Sequence, residues 1–322
     1  MRAPAFVTRP SSATRAGFTL IELLVVIAII AVLSALTTAA VQKVRQVGQR
    51  TTVVTEINDF DISCSKFRTD FGTNVPQRFR FPTAVPQAAP ATTALQEEAE
   101  GYRLLRAMFR AWPPPAVAAV PGTALTPANG VPLIVFRGDN MNGRLIDGSQ
   151  SLVFFLGGPN GQGFTPTGPY DPGNNTSRKG PYFEFVESRI DLDPADRPTV
   201  ADGKRYRNGY KDVYGVPYAF FSSGGSEIYS LIAWVGPTIP QIGATGSIAP
   251  LQSQLAAAGP PVRNAKFVNS GRVQVISAGR NRKFGLGALW VAGGAGYVID
   301  GSDGGDDLGN FNNGLQLGAP SN

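Results

Sequence analysis

The feature that most constrains this chain is an apolar run near its N-terminus, residues 18–36, which one acidic residue, Glu22, interrupts. The preceding segment, residues 1–17, is rich in polar and basic residues and contains proline. A run of about 20 apolar residues is long enough to cross a bilayer as an α-helix. The sequence therefore predicts a transmembrane segment over residues 18–36 that follows a short leader, residues 1–17.

The same helix is predicted to continue beyond the bilayer, because no proline occurs between Pro10 and Pro76. Residues 37–75 should form its extracytoplasmic half. Apolar residues in this half recur at steps of three and four or their sums, which predicts one stripe that lies against a globular body. The stripe consists of Val44, Val47, Val54, Ile57, Phe60, Cys64, Phe67 and Phe71.

The remaining chain changes character at Pro76. Residues 76–130 are rich in proline and alanine and predict a linker that contains one short amphipathic helix, from Thr93 to Trp112. Residues 131–322 predict a β-rich globular domain that ends in a glycine-rich loop, so the fold class is α+β with an antiparallel sheet. The predicted strands are 133–136, 151–156, 182–187, 218–221, 228–235, 272–277, 289–291 and 297–299.

Composition lowers the expectation of an enzyme. The chain has no histidine and a single cysteine, Cys64, which removes the usual general base, histidine–cysteine metal sites and any intramolecular disulfide. Half of the formal net charge of +6 belongs to Arg2, Arg9 and Arg15 in the leader. No basic run interleaved with aromatic residues follows, so we expect no nucleic-acid partner.

Two plainer interpretations of the N-terminus remain. The first is a secretory signal peptide that is cut near Thr38-Ala39-Ala40, and the second is an uncleaved membrane anchor. Glu22 inside the apolar run and the helical pattern that continues past Ala40 argue against the secretory signal. N-terminal sequencing separates the alternatives.

The hexapeptide from Gly17 to Glu22, Gly-Phe-Thr-Leu-Ile-Glu, resembles the processing motif of the type IV pilin and type II secretion pseudopilin family. The resemblance implies that a prepilin peptidase/N-methyltransferase cuts between Gly17 and Phe18 and methylates the new amino group of Phe18. It also implies that Glu22 is an assembly residue.

Elementary electrostatics supports a role for Glu22. A carboxylate inside a membrane helix costs roughly 2.5 kcal/mol or more, so an unpaired Glu22 would be unfavourable. After cleavage, the amino group of Phe18 could pair with it, either four residues away on the same helix or, as the resemblance implies, on a neighbouring subunit. Such a pair would fix the register between subunits.

The resemblance further implies a pilin-like α+β fold, in which a long N-terminal spine helix packs on an antiparallel sheet with extended loops. The implied function is a structural filament subunit of a type IV pilus or a type II secretion pseudopilus. The implied partners are identical or related pilin subunits, an inner-membrane assembly platform and the lipid bilayer. The implied location is the bacterial inner membrane, crossed once with the C-terminal domain outside the cytoplasm, and afterwards a periplasmic or cell-surface filament.

Two stretches near the C-terminus carry a second resemblance, to major pseudopilins. Residues 212–220 look like their Asp-x-aromatic-Gly-x-Pro strand entry, and residues 275–285 with 304–311 are similar to their C-terminal ending. In many major pseudopilins that ending binds calcium, which implies a site from Asn281, Asp303, Asp306 and Asp307. Asn281 stands where those relatives have aspartate, and Arg280, Arg282 and Lys283 surround it. The alternative is a solvated loop, and no other cofactor is expected.

Pilus and pseudopilus remain open at this point, with the C-terminal resemblance favouring the pseudopilus. A rival from another class is a membrane-anchored binding module for glycans or surface adhesion. Its recognition surface would use aromatic residues such as Tyr206, Tyr210, Tyr214 and Trp234.

Overall fold

A computed structural model of the chain divides into two compact units, residues 1–48 and residues 49–322, which are treated separately below. The structure describes residues 18–87, 92–113, 115–126, 134–136, 139–166, 168–169, 177–190, 209–223, 251–254, 266–269, 271–285, 288–289, 305–312 and 317.

The predicted long helix is confirmed. Helix α1 spans Leu20–Phe71, and it begins two residues after Phe18. From residue 18 to residue 48 every side chain on this segment is exposed within the N-terminal unit. Helix α1 is long and apolar enough to cross a membrane, and its most apolar window lies near the N-terminus.

The apolar stripe of α1 is confirmed only in the second unit. Val53, which the pattern missed, is buried, and so are the residues that the pattern named from Ile57 onwards. Val44 and Val47 were wrongly assigned to the packed stripe, because they lie in the exposed N-terminal unit, where they remain 72% and 59% exposed. The packed residues are Val53, Ile57, Phe60, Cys64, Phe67 and Phe71.

Aromatic rings hold this part of α1 against the rest of the second unit. Phe60 is fully buried and stacks on Phe183, with ring centroids 4.3 Å apart. It meets Tyr218 edge-on at 5.3 Å and Tyr210 edge-on at 6.0 Å. Offset and edge-to-face ring pairs add about 0.5–1.5 kcal/mol each beyond the area that they bury. Phe60 is therefore a central residue of this core.

Four small sheets make up the β structure among the described residues. Strands β1 (Arg78–Arg80) and β4 (Leu145–Asp147) pair antiparallel, as do β2 (Val135–Phe136) and β3 (Asp139–Asn140). The third sheet has the order β10 (Leu308–Gly309), β8 (Val273–Ser277), β5 (Ala219–Ser222), also antiparallel. The fourth has the order β7 (Lys266–Phe267), β6 (Leu251–Gln254), β9 (Ala288–Leu289).

These sheets confirm the α+β class and the predicted strands near residues 135, 219, 273 and 288. The antiparallel expectation fails for one pair, since β6 and β9 run parallel. The predicted strands at 228–235 and 297–299 lie outside the described residues.

Two predicted strands are wrong. Residues 151–156 belong to helix α4, Ser149–Gly157, in which every residue is buried. A helix that is buried on all sides lacks a polar face, so its apolar run resembles a buried strand in sequence. Residues 182–186 form no ladder and lead into a short 3-10 helix, Glu187–Arg189.

The segment predicted to be a linker, residues 76–130, packs into the second unit over its described part. Phe79 and Phe81 are buried around β1, and Val85 and Leu125 are buried further along. Helix α2, Thr93–Met108, contacts β1, and a short helix α3, Pro115–Ala118, follows. Proline and alanine content indicated irregular backbone correctly, but it does not reveal which side chains between the prolines are buried.

Candidate functional site

The start of helix α1 is a reciprocal capping box formed by Thr19 and Glu22. The backbone N–H and the Oγ1 hydroxyl of Thr19 both donate to Oε2 of Glu22, each at 2.8 Å. In return the backbone N–H of Glu22 donates to Oγ1 of Thr19 at 3.3 Å. These bonds satisfy backbone donors that the first turn of a helix otherwise leaves without partners.

The capping box gives Glu22 a role that sequence reasoning missed. The prediction paired Glu22 with the amino group of Phe18, whereas in the unprocessed chain its carboxylate already binds Thr19. The Thr-x-x-Glu spacing that marks a capping box was readable in the sequence. Gly17 lies outside the described residues, and Phe18 precedes the helix.

The cap also directs the Glu22 carboxylate towards the N-terminal end of the helix. Negative charge is favourable there, because the helix dipole places partial positive charge at that end. The carboxylate is thereby held beside Thr19, at the end of the helix that Phe18 precedes. It can act as an acceptor for a cation at this position.

The side chains that follow Glu22 present an apolar surface around the whole helix. Phe18, Leu20 and Ile21 are 78%, 81% and 69% exposed, and the apolar side chains through Leu36 are similarly open. An exposed apolar surface of this size is unfavourable in water, so it requires lipid or other helices around it.

A family model described as the prokaryotic N-terminal methylation motif matches residues 12–38. The match contains Gly17, Phe18 and Glu22, and it ends just after the apolar run. The N-terminal motif and the long apolar helix together fit the type IV pilin and pseudopilin family. No curated protein and no solved structure matches the chain significantly.

The motif supports a pilin-like subunit that prepilin peptidase processes, and it implies assembly with other pilin subunits. Its layout, a long N-terminal apolar helix followed by small sheets, is the pilin-like α+β layout. The motif points to a structural subunit, and the motif and helix are consistent with anchoring in the inner membrane.

The two C-terminal stretches that carried the second resemblance lie together in the structure. Asp212 is buried, and its Oδ1 accepts the backbone N–H groups of Tyr214 and Val216 at 2.9 and 3.0 Å. Its Oδ2 accepts the Ser277 hydroxyl at 2.6 Å, which links the loop before β5 to the end of β8. Burial raises the pKa of Asp212 above its ordinary value, although the bonds from Ser277, Val216 and Tyr214 oppose the rise.

The described part of the predicted calcium site shows no ready-made metal cluster. Oδ2 of Asp306 accepts the backbone N–H of Asn281 at 2.8 Å, and Oδ2 of Asp307 accepts that of Gly285 at 3.0 Å. Asp303 lies outside the described residues. Within the described ranges no group of three or more His, Cys, Asp or Glu side chains could hold a metal ion.

A partly buried ionic cluster joins the part of α1 that lies in the second unit to the rest of that unit, and sequence reasoning did not find it. Glu56 on α1 binds Arg189 through both carboxylate oxygens, and its Oε2 also accepts the Tyr218 hydroxyl at 2.6 Å. Arg189 donates further to the carbonyl of Lys211 at 2.8 Å and lies over the Tyr210 ring at 4.6 Å. Burial alone would lower the pKa of Arg189, but the bonds and charge of Glu56 outweigh it and raise that pKa.

Tyr210, one of the aromatic residues named for a recognition surface, is buried in this cluster. Tyr210 is 1% exposed and lies in the core beside Phe60. It therefore cannot contact a glycan. Tyr214 is half-buried, and Tyr206 and Trp234 lie outside the described residues.

Cys64 is buried on the packed face of α1, as its place in the apolar pattern predicted. Burial and the nearby charge of Asp61 raise the pKa of its thiol well above the ordinary value. A protonated, buried thiol behaves as a small apolar side chain.

Proposed function

We propose that this chain is a subunit of a type II secretion pseudopilus or a closely related filament, cut between Gly17 and Phe18 and assembled through helix α1. The observation that carries the proposal is the methylation motif over residues 12–38, within which an exposed apolar helix begins at Leu20. A secretory signal would end near Ala40, whereas α1 continues to Phe71, where it is part of a packed core.

The capping box supports a specific part for Glu22 in assembly. Cleavage creates an amino group at Phe18, directly before the capped turn, and Glu22 is held at that end of the helix by Thr19. An ammonium group from this or a neighbouring subunit would meet a carboxylate that is already oriented. Within apolar surroundings, a packing that leaves this carboxylate without a cation is costly, so the pair would select one register.

The preference for a pseudopilus rests on the C-terminal stretches. Residues 212–220, 275–285 and 305–311 resemble the endings of major pseudopilins, and here they are joined by the Asp212–Ser277 bond and the Asp306 and Asp307 bonds. Their contact supports treating them as one structural element. Deleting the gene in its host makes the distinction: a pseudopilin deletion abolishes release of secreted proteins, whereas a pilin deletion abolishes surface fibres.

Processing is tested by intact mass and N-terminal sequencing of the protein extracted from membranes that contain prepilin peptidase. We expect a chain that begins at N-methylated Phe18. A chain that begins at Met1 would indicate a plain anchor, and one that begins near Ala40 or Val41 would indicate a secretory signal. Either result would refute the proposal.

Assembly is tested separately with Glu22→Ala and the matched control Glu100→Ala, which removes an exposed carboxylate from helix α2. We expect Glu22→Ala to be processed but absent from sheared filaments, whereas Glu100→Ala assembles like wild type. Wild-type filament yield from Glu22→Ala would contradict the assigned role of Glu22.

A further inference from the structure

Helix α1 carries no charged residue between Glu22 and Lys43, and this uncharged stretch has the length of a bilayer. It contains 20 residues, from Leu23 to Gln42. At about 1.5 Å of rise per residue it is about 30 Å long, which matches a hydrocarbon thickness of roughly 30 Å. All of its side chains are exposed within the N-terminal unit. The uncharged stretch therefore extends the apolar run by residues 37–42.

Thr37 and Thr38, which open this extension, are compatible with lipid because the helix itself satisfies their hydroxyl groups. The hydroxyl of Thr37 donates to the carbonyl oxygens of Leu33 and Ser34 at 2.9 and 3.1 Å. The hydroxyl of Thr38 donates to the Ser34 carbonyl at 2.7 Å. A hydroxyl that is bonded to its own helix carries no unsatisfied donor into the hydrocarbon. The two threonines therefore do not end the membrane segment at Leu36.

The extension ends at two exposed cations, Lys43 and Arg45. At about 100° per residue their side chains leave the helix about 200° apart, so they point to nearly opposite sides of its axis. A protein partner would contact one face of the helix, whereas the surface of a bilayer surrounds it. After Glu22 the next acidic residue along the chain is Glu56, too far from both cations to pair with them on the same helix. Phosphate groups at an anionic lipid surface supply the missing counter-charge.

We propose that Lys43 and Arg45 bind the phosphate groups of anionic phospholipids at the extracytoplasmic surface of the inner membrane, which sets the membrane span at residues 23–42. The proposal rests on the proposed function, for which the subunit is anchored in that membrane before it assembles. Glu22 then lies at the opposite boundary of the hydrocarbon, where its carboxylate avoids the cost of burial in lipid. The two charged boundaries hold the helix at one depth until assembly.

Lipid binding is tested by native mass spectrometry of the full-length protein in detergent, titrated with phosphatidylglycerol or with phosphatidylcholine. Lys43→Gln/Arg45→Gln should weaken phosphatidylglycerol binding about 25-fold, since each cation near an anionic surface contributes roughly 5-fold. Lys43→Arg/Arg45→Lys should keep wild-type affinity, and so should the control Lys66→Gln/Arg103→Gln, which removes two exposed cations from the second unit. Wild-type affinity in the first variant, an equal loss in either of the others, or equal affinity for the two lipids would overturn the proposal.

The depth of the helix is tested by spin labelling of the full-length protein in vesicles of phosphatidylcholine and phosphatidylglycerol. Cys64 is buried and does not compete for the label. A nitroxide on Val41→Cys should collide more with oxygen than with a water-soluble nickel chelate, and one on Gln46→Cys should show the reverse. If both labels prefer the nickel chelate, the span ends earlier and the proposal is wrong. The intact mass in the native spectra also reports the N-terminus, which distinguishes a failure of cleavage after Gly17 from a failure of lipid binding.

Discussion

Replacing Arg189 by alanine should strongly destabilise the second unit. The change removes both bonds to Glu56, the bond to the Lys211 carbonyl and the contact with the Tyr210 ring. The side chain of Glu56 is only 15% exposed, and after the change the Tyr218 hydroxyl is its remaining partner in this cluster.

The magnitude follows from the burial of the pair. Removing one partner of a buried ion pair costs about 3–5 kcal/mol because the other charge is left desolvated. The side chains of Glu56 and Arg189 keep 15% and 19% exposure, so we expect the lower end, about 3 kcal/mol. A loss of that size is a large fraction of the roughly 5–15 kcal/mol that stabilises a typical folded protein.

The assay is urea denaturation of the full-length protein in detergent, followed by the fluorescence of its tryptophans, which include the buried Trp112. Arg103→Ala on the exposed face of α2 is the matched control, and it should stay within about 0.5 kcal/mol of wild type. A double-mutant cycle of Arg189→Ala with Glu56→Gln should give a coupling energy of about 1–3 kcal/mol. If Arg189→Ala matches the control, or if the two changes are additive, the cluster is a surface contact and our reasoning fails.

Three further changes test other parts of the second unit and the helix. Phe60→Ala should lower the free energy of unfolding in urea by about 3–5 kcal/mol, because it opens a cavity among four rings. An equal loss from Ile62→Ala, at an exposed position, would contradict this. Because the pKa of Asp212 is raised, the native state binds a proton at this group more tightly than the unfolded state does. The stability that this proton contributes is therefore present at low pH, and it is lost as the pH rises from about 4 through the raised pKa. Asp212→Asn should remove that part of the pH dependence, and an unchanged slope of unfolding free energy against pH would refute it. Gly101→Ala should separate α2 from β1, since its Cβ would lie 2.1 Å from the Arg80 carbonyl oxygen. Gly48→Ala, whose Cβ would have nothing within 4 Å, should instead stabilise α1 by about 0.5–1 kcal/mol. Thermal melts in which both variants shift Tm in the same direction would rule out this contrast.

The long helix was the part of the fold that the sequence predicted best. Its apolar run, the absence of proline up to Pro76 and the heptad-like spacing from Ile57 to Phe71 all act locally, so they can be read without tertiary structure. The residue at which the apolar stripe begins to pack against the rest of the second unit depends on tertiary structure. Val44 and Val47 have the same spacing as the buried residues, yet they lie in the exposed unit.

The rest of the second unit was harder to predict, because burial there overrides the secondary structure that the local sequence pattern indicates. Residues 151–156 have the composition of a buried strand, but they form α4 in surroundings that cover all of its sides. The three residues of β1 were hidden in a proline-rich stretch, since a strand of three residues is too short for an alternating pattern to be recognised.

The roles assigned to Gly17, Phe18 and Glu22 stay predictions. The motif named Gly17, Phe18 and Glu22, and the methylation-motif match covers all three positions. The Thr19 cap was readable and was missed, while the Glu56–Arg189 pair was unreadable, because 133 residues separate its partners along the chain. Long-range ion pairs of this kind leave no local signature.

The capped turn has a consequence for the order of events at the membrane. Since α1 begins at Leu20 and is closed by Thr19, the bond between Gly17 and Phe18 lies before the first helical turn. A protease binds its substrate backbone in an extended conformation, so the proposed cleavage would not require α1 to unwind. Processing would then change the charge at the N-terminal end of α1 without changing the length of the helix.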